Sequence, residues 1–588
     1  MDTTNKKISI TSILYKQSPK LLVFSTIVGV LAGSLYGLII PFILNGIEKG
    51  DEVINATDGI AGMGLSNYVV PFISQHVALS FFLIVASILC AKVTSVILFN
   101  NIAKTAAVEL RIKTAKKISS MKIDTIESIG FPKLQNILNG DVNSVLHASM
   151  AIPMIIVSAV TVAGMLAYLA YLNFAICLIV VIGIITGVVM FQVPVALASK
   201  LYQKARHLQD VVQEGIKGLV FGAYELRLDN KKSEKYLQEE LIKPQYAGLR
   251  MEKMSDSILH LAGTSSDFLS FFIIGFLVFV IPAQLALTNK ESLGIVMVLL
   301  YIAGPVAVIL GNLQVLQIGK VAIQRIIELE SYEDEDIEQS NSKDFGDWKN
   351  YILDGVSYAY KLEGVDHPFS LQTISISFQR GQVNFIVGGN GSGKSTLSKL
   401  ISLHYQPSSG SIRFDESCVD KINLTSAREK ISVIYSNYYL FGKLYREFTN
   451  QDEMRINHYL SELGLKDKTT FSNGVFSTVK LSDGQRRRLA LLVSLLEDKD
   501  IYIFDEWAAD QDPIFKKLFY TEILADMRKD NKLVIVITHD DRYFNCADRV
   551  IYMENGKLVD IKNNAIVDIL ANENSISLQE SLVEEINI

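Results

Sequence analysis

At 588 residues the chain exceeds what one hydrophobic core can organise, so at least two domains are expected. Its 49% hydrophobic content and mean hydropathy of +0.27 average over two unlike parts. A net charge of −6 without a basic block excludes attraction to nucleic acid. The four cysteines, Cys90, Cys177, Cys418 and Cys546, form no CxxC pair and exclude a zinc or disulfide framework; reduced, buried thiols are expected.

A bilayer-spanning helix needs about 20 mostly apolar residues. Residues 21–47 carry no charge until they end and start just after Lys16 and Lys20, so they read as a retained first span rather than a processed signal peptide. A second span covers residues 77–100. Residues 143–199 hold no formal charge; that is too long for one crossing and suits a hairpin of spans three and four turning at Leu172 and Asn173. The fifth span falls within 265–287 and the sixth within 293–315.

Lys and Arg accumulate in cytoplasmic loops. Residues 101–146 hold seven of them and 200–256 eleven, whereas the three opposite loops hold only Lys49 and Lys290. Both termini are therefore expected in the cytoplasm, with the two basic segments continuing the membrane helices as amphipathic extensions. Lys92, His147, His260 and Asp267 are the ionisable residues at membrane depth. Lys92, His260 and Asp267 are expected near cytoplasmic helix ends, where a side chain reaches water. The first external loop, 48–76, reads as an ordered spacer, with a lid or a docking element for a periplasmic or outer-membrane partner as the alternative.

The acidic, polar stretch 331–347 reads as a linker. Beyond it, VNFIVGGNGSGKSTLSKLI runs from a β-branched strand into Gly388, Gly389, Asn390, Gly391, Ser392, Gly393, Lys394 and Ser395 and then a helix, the required context for a phosphate-binding loop. Its glycines let backbone amides turn toward phosphates, Lys394 is expected on the β- and γ-phosphates, and the Ser395 hydroxyl on magnesium. IYIFDEW reads as a buried parallel strand ending in Asp505 and Glu506, one acid to hold magnesium and the next to position or deprotonate the attacking water.

Leu481-Ser482-Asp483-Gly484-Gln485 is very similar to the LSGGQ signature of ABC transporters. The resemblance implies ATP as ligand and Mg2+ as cofactor. It implies two copies of the chain, each signature (Ser482, Gly484, Gln485) closing over the nucleotide held by the other's loop, Thr396 included. Tyr360 resembles the aromatic that stacks on adenine, Asp512 the acid that crosses the dimer interface, and His539 the histidine that senses γ-phosphate, which puts Glu506, His539 and Lys394 in the catalytic set. Ser436, followed by Asn437, stands where the family has a magnesium-binding glutamine, and Ala509 replaces a usual serine. The phrases GGNGSGKST, YSNYYLF, LSDGQRRRLALL, FDEWAADQDP and ITHDDRYFNCADR resemble the cyclic-peptide exporter group, which serves pyoverdine-type siderophores and syringomycin-type lipopeptides.

The expected architecture is an α-helical six-span membrane domain over residues 1–330, a linker over 331–347, an α/β P-loop nucleotide-binding domain over 348–575 and an acidic tail over 576–588. The expected function is ATP-driven export of a cyclic or otherwise modified peptide across a bacterial inner membrane, in contact with membrane lipid and without nucleic acid. The alternatives are a lipid floppase or multidrug exporter, or a nucleotide-gated channel or regulator, which the presence of both Glu506 and His539 disfavours. Only about twenty residues precede the first span, which leaves no room for a leader protease and favours an already mature cargo.

Overall fold

The computed structural model describes residues 9–44, 66–279, 289–335, 345–360 and 369–564. Contacts divide the chain into two compact units, Met1–Lys116 with Pro132–Ser331, and Lys117–Phe131 with Tyr332–Ile588. Residues 48–65 of the external loop, most of the linker and the acidic tail lie outside the described residues, and the rest of that loop begins the helix Ser66–Ser120.

The first unit is helical. Among the described residues, five helices are long and apolar enough to cross a membrane: Pro19–Leu44, Leu79–Ser120, Phe131–Leu172, Phe174–Phe221 and Ser292–Ser331. The fifth expected span falls on the end of the helix Lys243–Phe279, and residues 280–288 lie outside the described ones. The hairpin turns at Asn173, whose side chain caps the next helix by accepting from the amides of Ala175 and Ile176 at 3.0 and 3.2 Å. Lipid tails supply no hydrophobic drive between helices, so close approach rests on small residues and hydrogen bonds. Ser25, Gly29, Gly33 and Gly37 recur every fourth residue and are buried. Ser25 and Ser95 exchange hydroxyl-to-carbonyl bonds of 2.9 and 2.8 Å, and Gly37 meets Gly164.

The Lys92 ammonium stands 5.8 Å from the ring centroid of Tyr36, near the Gly37 end of Pro19–Gly37. The aromatic face offers the cation a partner at depth. His147 and His260 are exposed, and the Asp267 side chain lies outside those described. The cysteines differ from expectation: Cys177 is buried and Cys546 half-buried, but Cys90 and Cys418 are exposed, because each falls on an outward face of its element.

The second unit holds a four-stranded antiparallel sheet, ordered β2-β1-β4-β5, and a six-stranded sheet, ordered β12-β11-β3-β10-β9-β6. The first comprises β1 (Asn350–Ala359), β2 (Ser370–Gln379), β4 (Ser409–Phe414) and β5 (Ser417–Cys418). The second comprises β3 (Val383–Gly388), β6 (Ile431–Ile434), β9 (Ile501–Asp505), β10 (Leu533–Ile537), β11 (Arg549–Glu554) and β12 (Lys557–Asn563). A short hairpin, β7 (Phe471–Ser472) with β8 (Val475–Phe476), completes the strands described. β9 and β10 are buried at every position, as continuous apolar runs must be when both sheet faces are covered. Phe504, Trp507 and Phe519 belong to the core on one face; Trp348, Tyr351 and Phe414 belong to the other.

Candidate nucleotide site

Parallel pairing sets Ile386, Ile537 and Asp505 abreast on β3, β10 and β9, with Ile434 of β6 beside Phe504. The loops leaving these strands therefore emerge together at the carboxyl edge of the sheet, where open α/β sheets bind ligands. That register gathers Gly388–Ser395, Ser436, Asp505, Glu506 and His539 from four separate parts of the chain.

The phosphate loop turns through left-handed backbone at Gly391 (φ +78°) and Gly393 (φ +98°), and Gly393 leads into the helix Lys394–Ile401. Lys394 Nζ donates to the carbonyls of Gly388 and Gly389 at 2.9 and 3.0 Å. Burial pulls the Lys394 pKa down, opposed by the charges of Glu506 and Asp505. Among the described residues Ser392 Oγ is buried without a hydrogen-bond partner, an orphan that a phosphate oxygen would satisfy. Thr396 is buried, and its hydroxyl lies 3.1 Å from that of Tyr360.

Asp505 is buried at the end of β9. Burial first, and then the neighbouring charge of Glu506, push its carboxyl up to about 6. A hard carboxylate that gains from a nearby cation, beside the exposed Ser395 at a helix start, is a donor set that fits Mg2+. Glu506 is bonded through its amide to Ile537 O at 3.0 Å and through Oε1 to His539 Nε2 at 3.0 Å. Its φ of +52° lies in the left-handed region that side-chain-bearing residues avoid. Ser436 and Asn437 are exposed just past β6.

Ser482 caps the signature helix Asp483–Leu496, and Gln485 Oε1 accepts from the Ser482 amide at 3.2 Å, so the Gln485 side chain is engaged in the cap. Asp512 likewise caps Pro513–Lys517, accepting from the Phe515 amide at 3.1 Å. Among the described residues, no hydrogen bond or ion pair joins Ser482 or Gly484 to the phosphate loop of their own chain.

Sequence reasoning missed the surroundings of Tyr360. Its ring meets Tyr358 and Tyr405 edge to face, at centroid distances of 5.2 and 5.9 Å. Glu127, on the helix Ile123–Ile129, accepts from the Tyr405 hydroxyl and from Lys399 Nζ at 2.8 Å. It missed as well a half-buried triangle in which His404 Nδ1 lies 2.8 Å from both Ser402 Oγ and Tyr435 Oη, next to Ser436. Burial holds His404 down at about 4, aided by Arg428 and Lys399 and opposed by Glu335 and Glu127. Neither contact carries a local motif, since Glu127 and Tyr405 are 278 residues apart.

Comparison with known proteins agrees with this geometry. The family described as ABC transporter matches residues 371–509. The ATP-binding protein SyrD of Pseudomonas syringae pv. syringae is 31% identical over 471 residues, covering 77% of this chain and 82% of that protein. The nisin transport ATP-binding protein NisT of Lactococcus lactis subsp. lactis is 29% identical over 228 residues, 36% of this chain and 37% of that one. A solved bacterial Atm1-family ABC exporter with ATP bound superposes with a TM-score of 0.72 at 16% identity, covering 95% of this chain and 97% of that chain.

Proposed function

The chain belongs to the ABC transporters, as a half-transporter of the exporter type and a multi-pass membrane ATPase, and from that premise we propose that two copies of it export a cyclic or otherwise modified peptide. The observation that carries the reading is the meeting of Lys394, Asp505, Glu506 and His539 at one sheet edge in a chain that also holds apolar helices of membrane length. The phosphate-loop amides and Lys394 bind the nucleotide phosphates, and Tyr360 faces adenine. Ser395 and Asp505 would hold Mg2+, with Ser436 or Asn437 adding a further oxygen. Magnesium, when bound, neutralises charge on the transferred phosphoryl group. Glu506 orients the attacking water and accepts its proton, and His539 holds the glutamate carboxylate from the other side. Ser482 and Gly484 of the second copy close over the γ-phosphate, and Asp512 sits at the crossing between copies. Closure and reopening of the pair alternate the exposure of a cargo cavity, through the differing affinity of ATP and its products for the two states.

Peptide cargo is supported by the likeness to a nisin transport protein and by the DEWAADQDP resemblance. The loop charges support a bacterial inner-membrane location with both termini cytoplasmic. The test is ATPase stimulation of the protein in lipid nanodiscs by panels of cyclic peptides, lipids and cationic drugs. Stimulation by peptides is expected; stimulation by lipids or drugs alone would replace the peptide with a floppase or multidrug reading.

A further inference from the structure

Hydrolysis uses the signature helix Asp483–Leu496 and the loop after β9 separately, yet side chains of one chain tie them together. Arg487, mostly buried, donates through Nη1 to the carbonyls of Glu506 and Trp507 at 2.5 and 3.3 Å, and its Nη2 forms an ion pair with Asp510 Oδ2 at 2.6 Å. The Trp507 indole donates back to the Arg487 carbonyl at 2.8 Å, and the Gln511 amide donates to Gly484 O at 3.0 Å. At Gly484 an added Cβ would press on Asp510 O at 3.2 Å, so the first turn of the helix and this loop are in direct contact. Glu506 is thus held on both sides in its left-handed conformation, its amide by Ile537 of β10 and its carbonyl by Arg487.

We propose that Arg487 is a positioning residue for the hydrolytic step, which fixes the backbone that presents Glu506 to water and makes that presentation follow the signature helix of the same chain. The inference rests on the reading that this helix closes over the nucleotide of a second copy. ATP bound by one copy draws in the partner's signature helix, and through Arg487 it sets the partner's own glutamate, so each site reports its occupancy to the other. A planar fork is needed because two carbonyls and a carboxylate are held at once; an ammonium is a point charge on a flexible stem.

The full-length protein in nanodiscs provides the test. Arg487→Ala should lower kcat roughly 10- to 100-fold and leave the KM for ATP within about threefold, since the residue acts after binding. Arg487→Lys should recover part of the loss, and Asp510→Asn, which keeps both carbonyl bonds, should cost only a few-fold. In a Glu506→Gln background, Arg487→Ala should add no further loss. Mixed dimers purified on two tags separate action on the chain's own site from action on the partner's. One chain carrying both Arg487→Ala and Glu506→Gln beside a wild-type chain leaves one complete site and should match the wild-type:Glu506→Gln dimer. Splitting the two substitutions between chains damages both sites and should lower activity a further roughly 10- to 100-fold below the wild-type:Glu506→Gln dimer. The reverse ranking, equal activities, or an added loss in the Glu506→Gln background would overturn the proposal. A wild-type protein without ATPase activity, or a Glu506→Gln homodimer as active as wild type, would instead sink the exporter reading on which it rests.

Discussion

Replacing Glu506 by glycine should leave the protein about as stable as before while abolishing turnover. A side chain at φ +52° costs roughly 1–2 kcal/mol, which glycine relieves. Glycine loses roughly 0.5–1 kcal/mol through its greater freedom in the unfolded chain. The half-exposed Glu506–His539 contact contributes under about 1 kcal/mol. These terms nearly cancel, so the melting temperature of the nucleotide-binding unit should move by no more than about 4 °C. Loss of a general base lowers turnover by about 10²–10⁴, or about 2.7–5.5 kcal/mol of transition-state stabilisation. Glu506→Gln keeps the backbone conformation and an oxygen for His539, so it should show the same kinetic loss and should still bind ATP. Steady-state ATPase assays in nanodiscs and melting curves with and without ATP supply the numbers. Turnover within about threefold of wild type in Glu506→Gln would remove Glu506 as the base, and a fall in melting temperature beyond about 8 °C in Glu506→Gly would make it a structural residue.

Ser436→Ala should weaken ATPase or uncouple it from cargo, with Ser436→Gln tolerated; unchanged stimulation and turnover in Ser436→Ala would move attention to Asn437. His404 is neutral in the folded state, at about 4, against about 6.5 when unfolded. As pH falls below about 6.5 the unfolded chain therefore takes up the proton first, and stability should drop by up to about 1.4 kcal/mol per pH unit until about pH 4. Melting curves between pH 7 and pH 5 should flatten in His404→Gln, and an unchanged slope would refute the assignment. Tyr405→Phe removes the hydroxyl that meets Glu127 but keeps the ring stacked 4.6 Å from Tyr358, so it should cost under about 1.5 kcal/mol of stability while lowering cargo-stimulated ATPase. Full stimulation in that variant would exclude a link through this tyrosine. Lys394→Ala and Ser482→Arg chains, each nearly inactive as homodimers, should regain ATPase activity when mixed, because one site keeps both native residues; a mixed dimer that binds ATP but shows no recovery would point to strict coupling of the sites or another partner chain.

Much of the nucleotide site was legible in the sequence because its parts are local. A strand that breaks into glycines and then a helix announces a phosphate loop, and an unbroken apolar run ending in two acids announces β9, since backbone conformation and burial on both faces act over a few residues. The hairpin at Asn173 and the apolar spans were equally readable, because length and polarity alone set what can cross a bilayer. Only the tertiary structure decided which distant groups meet. The strand order β3-β10-β9-β6 runs against chain order, so packing and register bring His539 to Glu506. The partner of Lys92 is a ring on another helix, and Glu127 reaches Tyr405 across 278 residues. Arg487 shows the contrast within a single motif. In LSDGQRRRLALL it is one of three successive arginines, yet the packing of Trp507 against the signature helix puts its guanidinium alone on the carbonyl of Glu506. Periodicity specifies elements one at a time; the bonds between them depend on how side chains fill the space where the elements meet.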